Sequence, residues 1–339
     1  MSYSNKAERV PAAMGSPDRV PIPRQHGSIR RSSHIDMHLG DDQLELDGRA
    51  RDLITTAAGG VLAASASVRA EVDAAGAIRS LTIQPYRRST EALLGRSVRG
   101  GFRDAAHESF PDEFAAGTAL ALLLDDLPVA ALISGYALLY VGAIPADAAN
   151  LSMKSDICSG WRAGGTMMTS VRAGHGVPVT VGPSAPASAD DRSADPLGWH
   201  DIAPLPIGSM RRRRLIDVHP AGGVWEVTAM FRDTHVDADG SETILHEYAL
   251  TATVDAATQM FIACAAVPRV LPWVECPVAA GSADRLTGQS VDQVRSFVRS
   301  ELRGTSTCTH LNDLLRSLGD VGALAARLGE SDNDPGVTV

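Results

Sequence analysis

The sequence is poor in aromatic residues: Phe, Trp and Tyr make up 4% of its 339 residues. Its core must therefore be built mainly from Ala, Val and Leu. Cysteines are also scarce. Cys158, Cys264, Cys276 and Cys308 are widely spaced and form no CxxC pair, which argues against a disulfide-stapled secreted fold and fits a reducing, cytoplasmic setting. An excess of basic charge is absent. The net charge of −9 argues against general binding to nucleic acid or to an anionic membrane. Long apolar runs are absent except at residues 127–144. That segment contains Pro128 and Gly135 and directly follows Asp125-Asp126. A membrane span needs about 20 apolar residues, so the segment reads as a buried helix and no membrane partner is expected. No GxGxxG follows a strand and no GxxxxGK[ST] occurs, so no nucleotide cofactor is expected. Residues 1–30 lack an apolar signal core and are rich in Pro, Ser and Arg. They read as a disordered leader rather than a signal peptide.

What is present is alternation. Val68, Ala70 and Val72 fall on one face of a segment whose other face carries Arg69 and Glu71, a half-buried strand. Strands are expected at His34 to Leu39, from Leu44 to Asp52, from Ala66 to Asp73 and from Ile78 to Gln84, with turns at Gly40-Asp41-Asp42 and Asp73-Ala74-Ala75-Gly76. Helices are expected over residues 91–107 and 114–124.

The same order then returns. Ile35-Asp36-Met37-His38 matches Ile216-Asp217-Val218-His219, and Ala50-Arg51-Asp52 matches Phe231-Arg232-Asp233, both at an offset of 181. The segment starting at Val68 matches the one starting at Leu250 at 182, and the one starting at Leu93 matches that starting at Leu286 at 193. This predicts an α+β protein made of two tandem copies of a four-stranded antiparallel meander followed by helices. The copies would be related by a pseudo-twofold axis, with sheets either face to face or edge to edge, and a cavity between them would hold a ligand. The expected layout is a leader at 1–30, a first unit at 31–145, a linker and irregular region at 146–208, a second unit at 209–326 and a disordered tail at 327–339. Homo-oligomerisation stays open.

The repeat sorts the candidate residues. Arg51-Asp52 and Arg232-Asp233, and the Asp-x-His pairs Asp36/His38 and Asp217/His219, occur in both copies. They read as strand-end ion pairs or turn caps, or as a symmetric site that includes Asp36 and Arg51. The second copy alone has His235, His246-Glu247-Tyr248, Glu275-Cys276 and Cys308-Thr309-His310. These gather around a hairpin that turns at Asp237-Ala238-Asp239-Gly240. Strand parity groups Phe231, Asp233 and His235 on one face. It places His246 and Tyr248 on an otherwise apolar face, with Glu247 opposite. Glu275 lies between Pro272 and Pro277 and beside Trp273-Val274, where desolvation would raise its pKa and suit it to act as a general acid. Cys308 and His310 are expected at a helix start capped by Thr309, with Asp313 in the first turn. A zinc site from Cys276, Cys308, His310 and Glu275 lacks CxxC or HExxH spacing. Cys308 and His310 are too close in sequence to pair readily as nucleophile and base. Cofactor-free acid/base chemistry by His, Glu, Asp and Tyr remains.

At Cys308-Thr309-His310-Leu311 with Asp313, the chain resembles an uncharacterised bacterial domain family. Further likeness lies in Arg31-Ser32, Ile35-Asp36, Ala50-Arg51-Asp52, Phe231-Arg232-Asp233, His246-Glu247-Tyr248 and Glu275-Cys276-Pro277, over about residues 30–325. Similar sequences are associated with alkenol dehydratases. That resemblance implies loss of water from a small hydrophobic unsaturated alcohol, with Glu275 or a neutral Asp as acid, His246 as base and Tyr248 positioning the hydroxyl. Two other classes compete with it: a non-catalytic module for an apolar or acyl ligand, and a metal-dependent hydrolase.

Overall fold

A computed structural model describes residues 9–18, 22–40, 43–142, 154–186 and 193–331. The first half holds four long strands, β3 (Ile29–Leu39), β4 (Gln43–Thr56), β5 (Gly59–Asp73) and β6 (Ile78–Gln84). They are preceded by β1 (Arg9–Pro11) and β2 (Met14–Gly15). Helices α1 (Phe102–Ser109), α2 (Pro111–Ala115), α3 (Ala119–Ile133) and α4 (Gly135–Tyr140) follow, then α5 (Thr166–Arg172) and β7 (Val179–Val181). The second half holds β8 (Met210–Ala221), β9 (Val224–Val236), β10 (Glu242–Asp255) and β11 (Phe261–Leu271), then α6 (Val294–Glu301), α7 (Thr309–Ser317) and α8 (Val321–Ser331).

The molecule is mixed, with several helices and one large antiparallel sheet of nine strands in the order β2-β11-β10-β9-β8-β3-β4-β5-β6. The two four-strand groups therefore stand edge to edge, joined where β3 pairs antiparallel with β8. Strand β1 pairs in parallel with β7 outside this sheet.

One face of the sheet carries the helices, and its apolar side chains form two clusters. The first-half cluster includes Ile35, Val68, Phe102 and Leu123. The second-half cluster includes Phe231, Tyr248, Leu250 and Leu314. The central strands β3 and β8 bring arginines onto this face, and aspartates meet them. Arg31 binds Asp52 and Asp320, Arg212 binds Asp233 and Asp313, and Arg214 binds Asp126. These groups are almost wholly inaccessible to solvent, so each charge needs its partner.

Segments flanking the strands cover the other face. Arg30 donates to Ile22 O at 2.8 Å, Arg51 to Leu197 O at 2.6 Å and Arg211 to Ala203 O at 2.8 Å. Arg30 and Arg211 also pair with Asp217 and Asp36 across the β3–β8 joint.

Several expectations change. The leader is not structureless, because β2 adds to the sheet edge at β11 and Arg9–Pro11 pairs with β7. The residues expected as a tail begin inside α8, which runs to Ser331. The 91–107 segment is a short 3-10 helix at Arg88–Leu93 followed by α1. Residues 1–8, 19–21, 143–153, 187–192 and 332–339 of the expected leader, first unit, linker and tail, and 41–42 of the first turn, lie outside the described residues.

Residues Ala119–Tyr140 are long and apolar enough to cross a membrane, yet 61% of the most apolar window is buried. Asp126 inside it binds Arg214, and Asp125 binds Arg316. Both features belong to a core helix.

Candidate functional site

Strands β9 and β10 form the expected hairpin, and a register slip in β10 aims its histidine. Ile244 pairs with Thr234, but His246 pairs with Asp233, so Leu245 is the extra residue. Such a bulge moves every later side chain by one position relative to the neighbouring strand. Without it His246 would face Arg232. With it, His246 and Asp233 stand opposite each other on the helix-bearing face, as do Tyr248 and Phe231.

His310 arrives from above, in the first turn of α7. Its ring stacks on His246 with centroids 3.8 Å apart and planes 20° apart. Asp233 Oδ2 lies 3.4 Å from His246 Nδ1. Arg212 grips Asp233 through both oxygens, Nε to Oδ1 at 2.7 Å and Nη2 to Oδ2 at 2.8 Å. Arg212 Nη1 reaches Asp313 Oδ2 at 3.3 Å, and Asp313 is held in turn by Arg316 at 2.9 Å. The His246 side chain is 18% exposed and His310 is also part-buried, while Asp233 is fully buried, so the two imidazoles are the parts of the cluster that a ligand can meet.

Burial alone would raise the Asp233 carboxyl. The charge and hydrogen bonds of Arg212, with His246, overcome that and hold it well below the usual carboxylate range. His310 is lowered to about 3, first by burial and then by the neighbouring His246, with Asp233 opposing. It is a neutral imidazole at ordinary pH. Asp313 is held below its usual range because Arg316, Arg103 and Arg212 outweigh burial.

Sulfur lines the next shell. Cys308 occupies the residue before α7, the position expected for Thr309, and its Sγ lies 3.9 Å from His310 Nδ1. Burial pushes its thiol up to about 12. Tyr248 is fully buried, and its hydroxyl has no nitrogen or oxygen partner among the described residues. Burial and the nearby Cys308, Cys276 and Cys158 raise its pKa, so the hydroxyl keeps its proton. Cys158 lay in the expected linker, where nothing in the sequence marked it.

The remaining candidates stand elsewhere. Glu275 Oε1 accepts from Thr166 N at 2.7 Å and Thr166 Oγ1 at 2.9 Å, anchoring the start of α5. Glu247 lies on the opposite face and binds Arg232 at 2.7 Å. His235 shares the face of Asp233 but sits between Tyr136 and Tyr140, at 5.3 and 4.6 Å. Asp36 and Arg51 are also on the opposite face, Asp36 paired with Arg211 and Arg51 with Leu197 O.

The Arg-Asp neighbours do not pair with each other. Adjacent residues on a strand point to opposite faces, so Asp52 goes to Arg31 and Asp233 to Arg212, while Arg51 and Arg232 bond on the other side.

An open cleft of about 1610 Å³ lies between α1 and α3 on one side and α6 and α7 on the other. Phe102, Val129 and Leu132 give it apolar wall, and Arg103, Asp313 and Arg316 give it charge. Asp313 is the link between the cleft and Arg212.

No curated protein and no solved structure matches the chain significantly. Residues 210–323, from the start of β8 into α8 and including Arg212, Asp233, His246, Cys308, His310 and Asp313, match the family model described as Protein of unknown function (DUF2889).

Proposed function

We propose that the protein is a carbon–oxygen lyase that removes water from a small hydrophobic unsaturated alcohol by acid/base chemistry at Asp233, His246 and His310. The observation that carries the reading is the partly accessible His246 held between an ionised carboxylate at Nδ1 and a neutral imidazole on its ring face. A proton on Nδ1 directed at Asp233 leaves Nε2 free as the base, and the carboxylate favours the imidazolium that forms. Cys308 and Tyr248 keep their protons and are the neutral donors beside the cluster. The substrate class follows the resemblance to alkenol dehydratases.

The chain is further proposed to be two copies of one unit. Supporting this, Arg31–Asp52 and Arg212–Asp233 are the same fully buried pair at one offset of 181. Arg30–Asp217 and Arg211–Asp36 likewise exchange across the β3–β8 joint. The histidines occur in the second copy only, which is why the site is placed there.

Small alkenols incubated with the protein and assayed for dienes by gas chromatography test the reading. His246→Gln and His310→Gln are expected to lower turnover at least about a hundredfold, and Glu275→Gln to leave it unchanged. Full turnover in both histidine variants would sink the assignment. The apolar wall of the cleft favours one second reading, a binding module for an apolar or acyl ligand. In that case thermal stabilisation by the ligand appears without any diene.

A further inference from the structure

Asp233, His246 and His310 each offer one ligand atom, and these atoms all lie within 4.8 Å of one another. Asp233 Oδ2 and His246 Nδ1 are 3.4 Å apart. A charge-assisted hydrogen bond runs at about 2.7–2.9 Å, and His246 Nδ1, though buried, makes no hydrogen bond among the described residues. The spacing is that of two donors on one tetrahedral ion. Bonds of about 2.0–2.1 Å to zinc put neighbouring ligand atoms about 3.3–3.4 Å apart. We infer that Asp233, His246 and His310 form a site for one divalent transition-metal ion of the zinc class, with a coordination position left open.

The surroundings fit such a site. Asp233 and His246 stand on paired strands, and His310 is fixed in the first turn of α7. Arg212 takes one lone pair on each Asp233 oxygen and leaves a second on Oδ2 for the imidazole side. That bond fixes the ligand's orientation, as outer partners of metal ligands do. Two imidazoles with one carboxylate suit a borderline-soft ion rather than magnesium or calcium, which require oxygen ligands. Because Arg212 cancels the Asp233 charge, the site should bind more weakly than a thiolate zinc site.

The binding stands on geometry alone, while its effect on turnover rests on the lyase reading. An ion on Nδ1 excludes the proton there and moves it to Nε2, removing the base. Bound zinc is therefore expected to inhibit.

The test uses the full chain, stripped with a chelator and titrated with zinc against a chromophoric competitor, and with cobalt(II) followed by absorption. About one ion per chain should bind, with affinity falling at least about tenfold in His246→Gln and in His310→Gln. His38→Gln, at a residue paired with Ser209 on the other face, should bind as the unaltered chain does. Cobalt should absorb in the visible without a thiolate charge-transfer band. Three results would overturn the site: no saturable binding, unchanged affinity in both variants, or a thiolate band that places the ion on cysteines. If the variants fold poorly, the cobalt spectrum of the unaltered chain decides. Turnover separates the two readings. Activity only with bound metal would remove the base role of His246 and leave the site standing. Activity in stripped protein that binds no metal would do the reverse.

Discussion

Asp52 and Asp233 stand at corresponding places in the two halves of the sheet and are completed differently. Each is opposite an arginine on the neighbouring strand, Arg31 or Arg212, which grips both of its oxygens. Each faces a partner strand whose register slips by one residue beside it. Across from Asp233 that strand supplies His246, and across from Asp52 it supplies Ala64. At Asp52 Oδ2 the place beside the clamp goes to Arg327 of α8, at 2.8 Å. An arginine there is a permanent cation, and the first half becomes a closed ionic knot. An imidazole can gain and lose a proton, and the second half keeps a group able to react. In the proposed reading, one buried pair serves as scaffold in the first half and beside a reactive histidine in the second, according to what meets its second oxygen.

The largest expected effect tests whether the clamp is scaffold in both halves. Asp52→Ala leaves Arg327 without its carboxylate and Arg31 with Asp320 as its one remaining carboxylate. Asp233→Ala leaves Arg212 with Asp313. Each should cost about 3–5 kcal/mol in urea denaturation, because an uncompensated buried charge remains. Asp52→Ala should cost the more, since two guanidinium groups lose a partner. A loss below about 1 kcal/mol in either variant would break the comparison.

Function should separate the halves that stability joins. His246→Gln is expected to cut turnover at least about a hundredfold while shifting stability by under about 1 kcal/mol, as its side chain is partly exposed. Arg327→Gln should do the opposite, losing about 1.5–3 kcal/mol for a charged hydrogen bond with turnover intact. Diene assays and denaturation on the same two proteins check both halves of the statement.

Part of this was legible in the residues. Period two put Asp233 on one face of its strand and His246 and Tyr248 on one face of theirs, and the histidines stood out because the matched segments of the first half have no counterpart to them. The register slip at Leu245 was not legible. It decides that His246 meets Asp233, and it arises from how two strands pair rather than from either strand's pattern. Arg211–Arg214 are four consecutive arginines, and alternation splits them, sending Arg212 and Arg214 to the helices and Arg211 and Arg213 to the other face. The contact of Glu275 with Thr166 was not legible, because Thr166 lay in a stretch with no readable element. His310 reaches the cluster through tertiary packing of α7, for which its position at a helix start gave only the direction of approach.

The halves should also differ in acid. The Asp52 knot holds no histidine, whereas His310 beside Asp233 is lowered to about 3 by burial and His246. On the other face, His34 and His200 are lowered to about 2 and about 3, first by burial, then by each other or by nearby arginines. A histidine depressed below its unfolded value of about 6.5 takes up its proton on unfolding. Its contribution is complete above that value and is lost as pH falls toward the folded one. Asp233, also depressed, loses its contribution only below the ordinary carboxylate range, so between pH 6.5 and 4 the histidines dominate. Stability should fall through that window, by about 1–3 kcal/mol for His310, and His310→Gln should flatten the fall measured by thermal melting at stepped pH. An unchanged slope would show that His310 does not stay neutral in the folded protein.

The smallest expected effect asks whether Arg327 is what separates the two aspartates. Ala64 is half-buried and opposite Asp52, so Ala64→His places an imidazole where His246 stands in the other half. Stability should change by no more than about 0.5 kcal/mol. With Arg327 already on Asp52 Oδ2, the new imidazole gains no free carboxylate, and its titration by NMR should stay near the ordinary value of about 6.5. Adding Arg327→Ala releases that oxygen, and the imidazole should then rise by about one unit as the carboxylate favours its protonated form. A raised value in Ala64→His alone would mean that Arg327 does not keep the first half closed. The difference between the halves would then rest on the histidine alone.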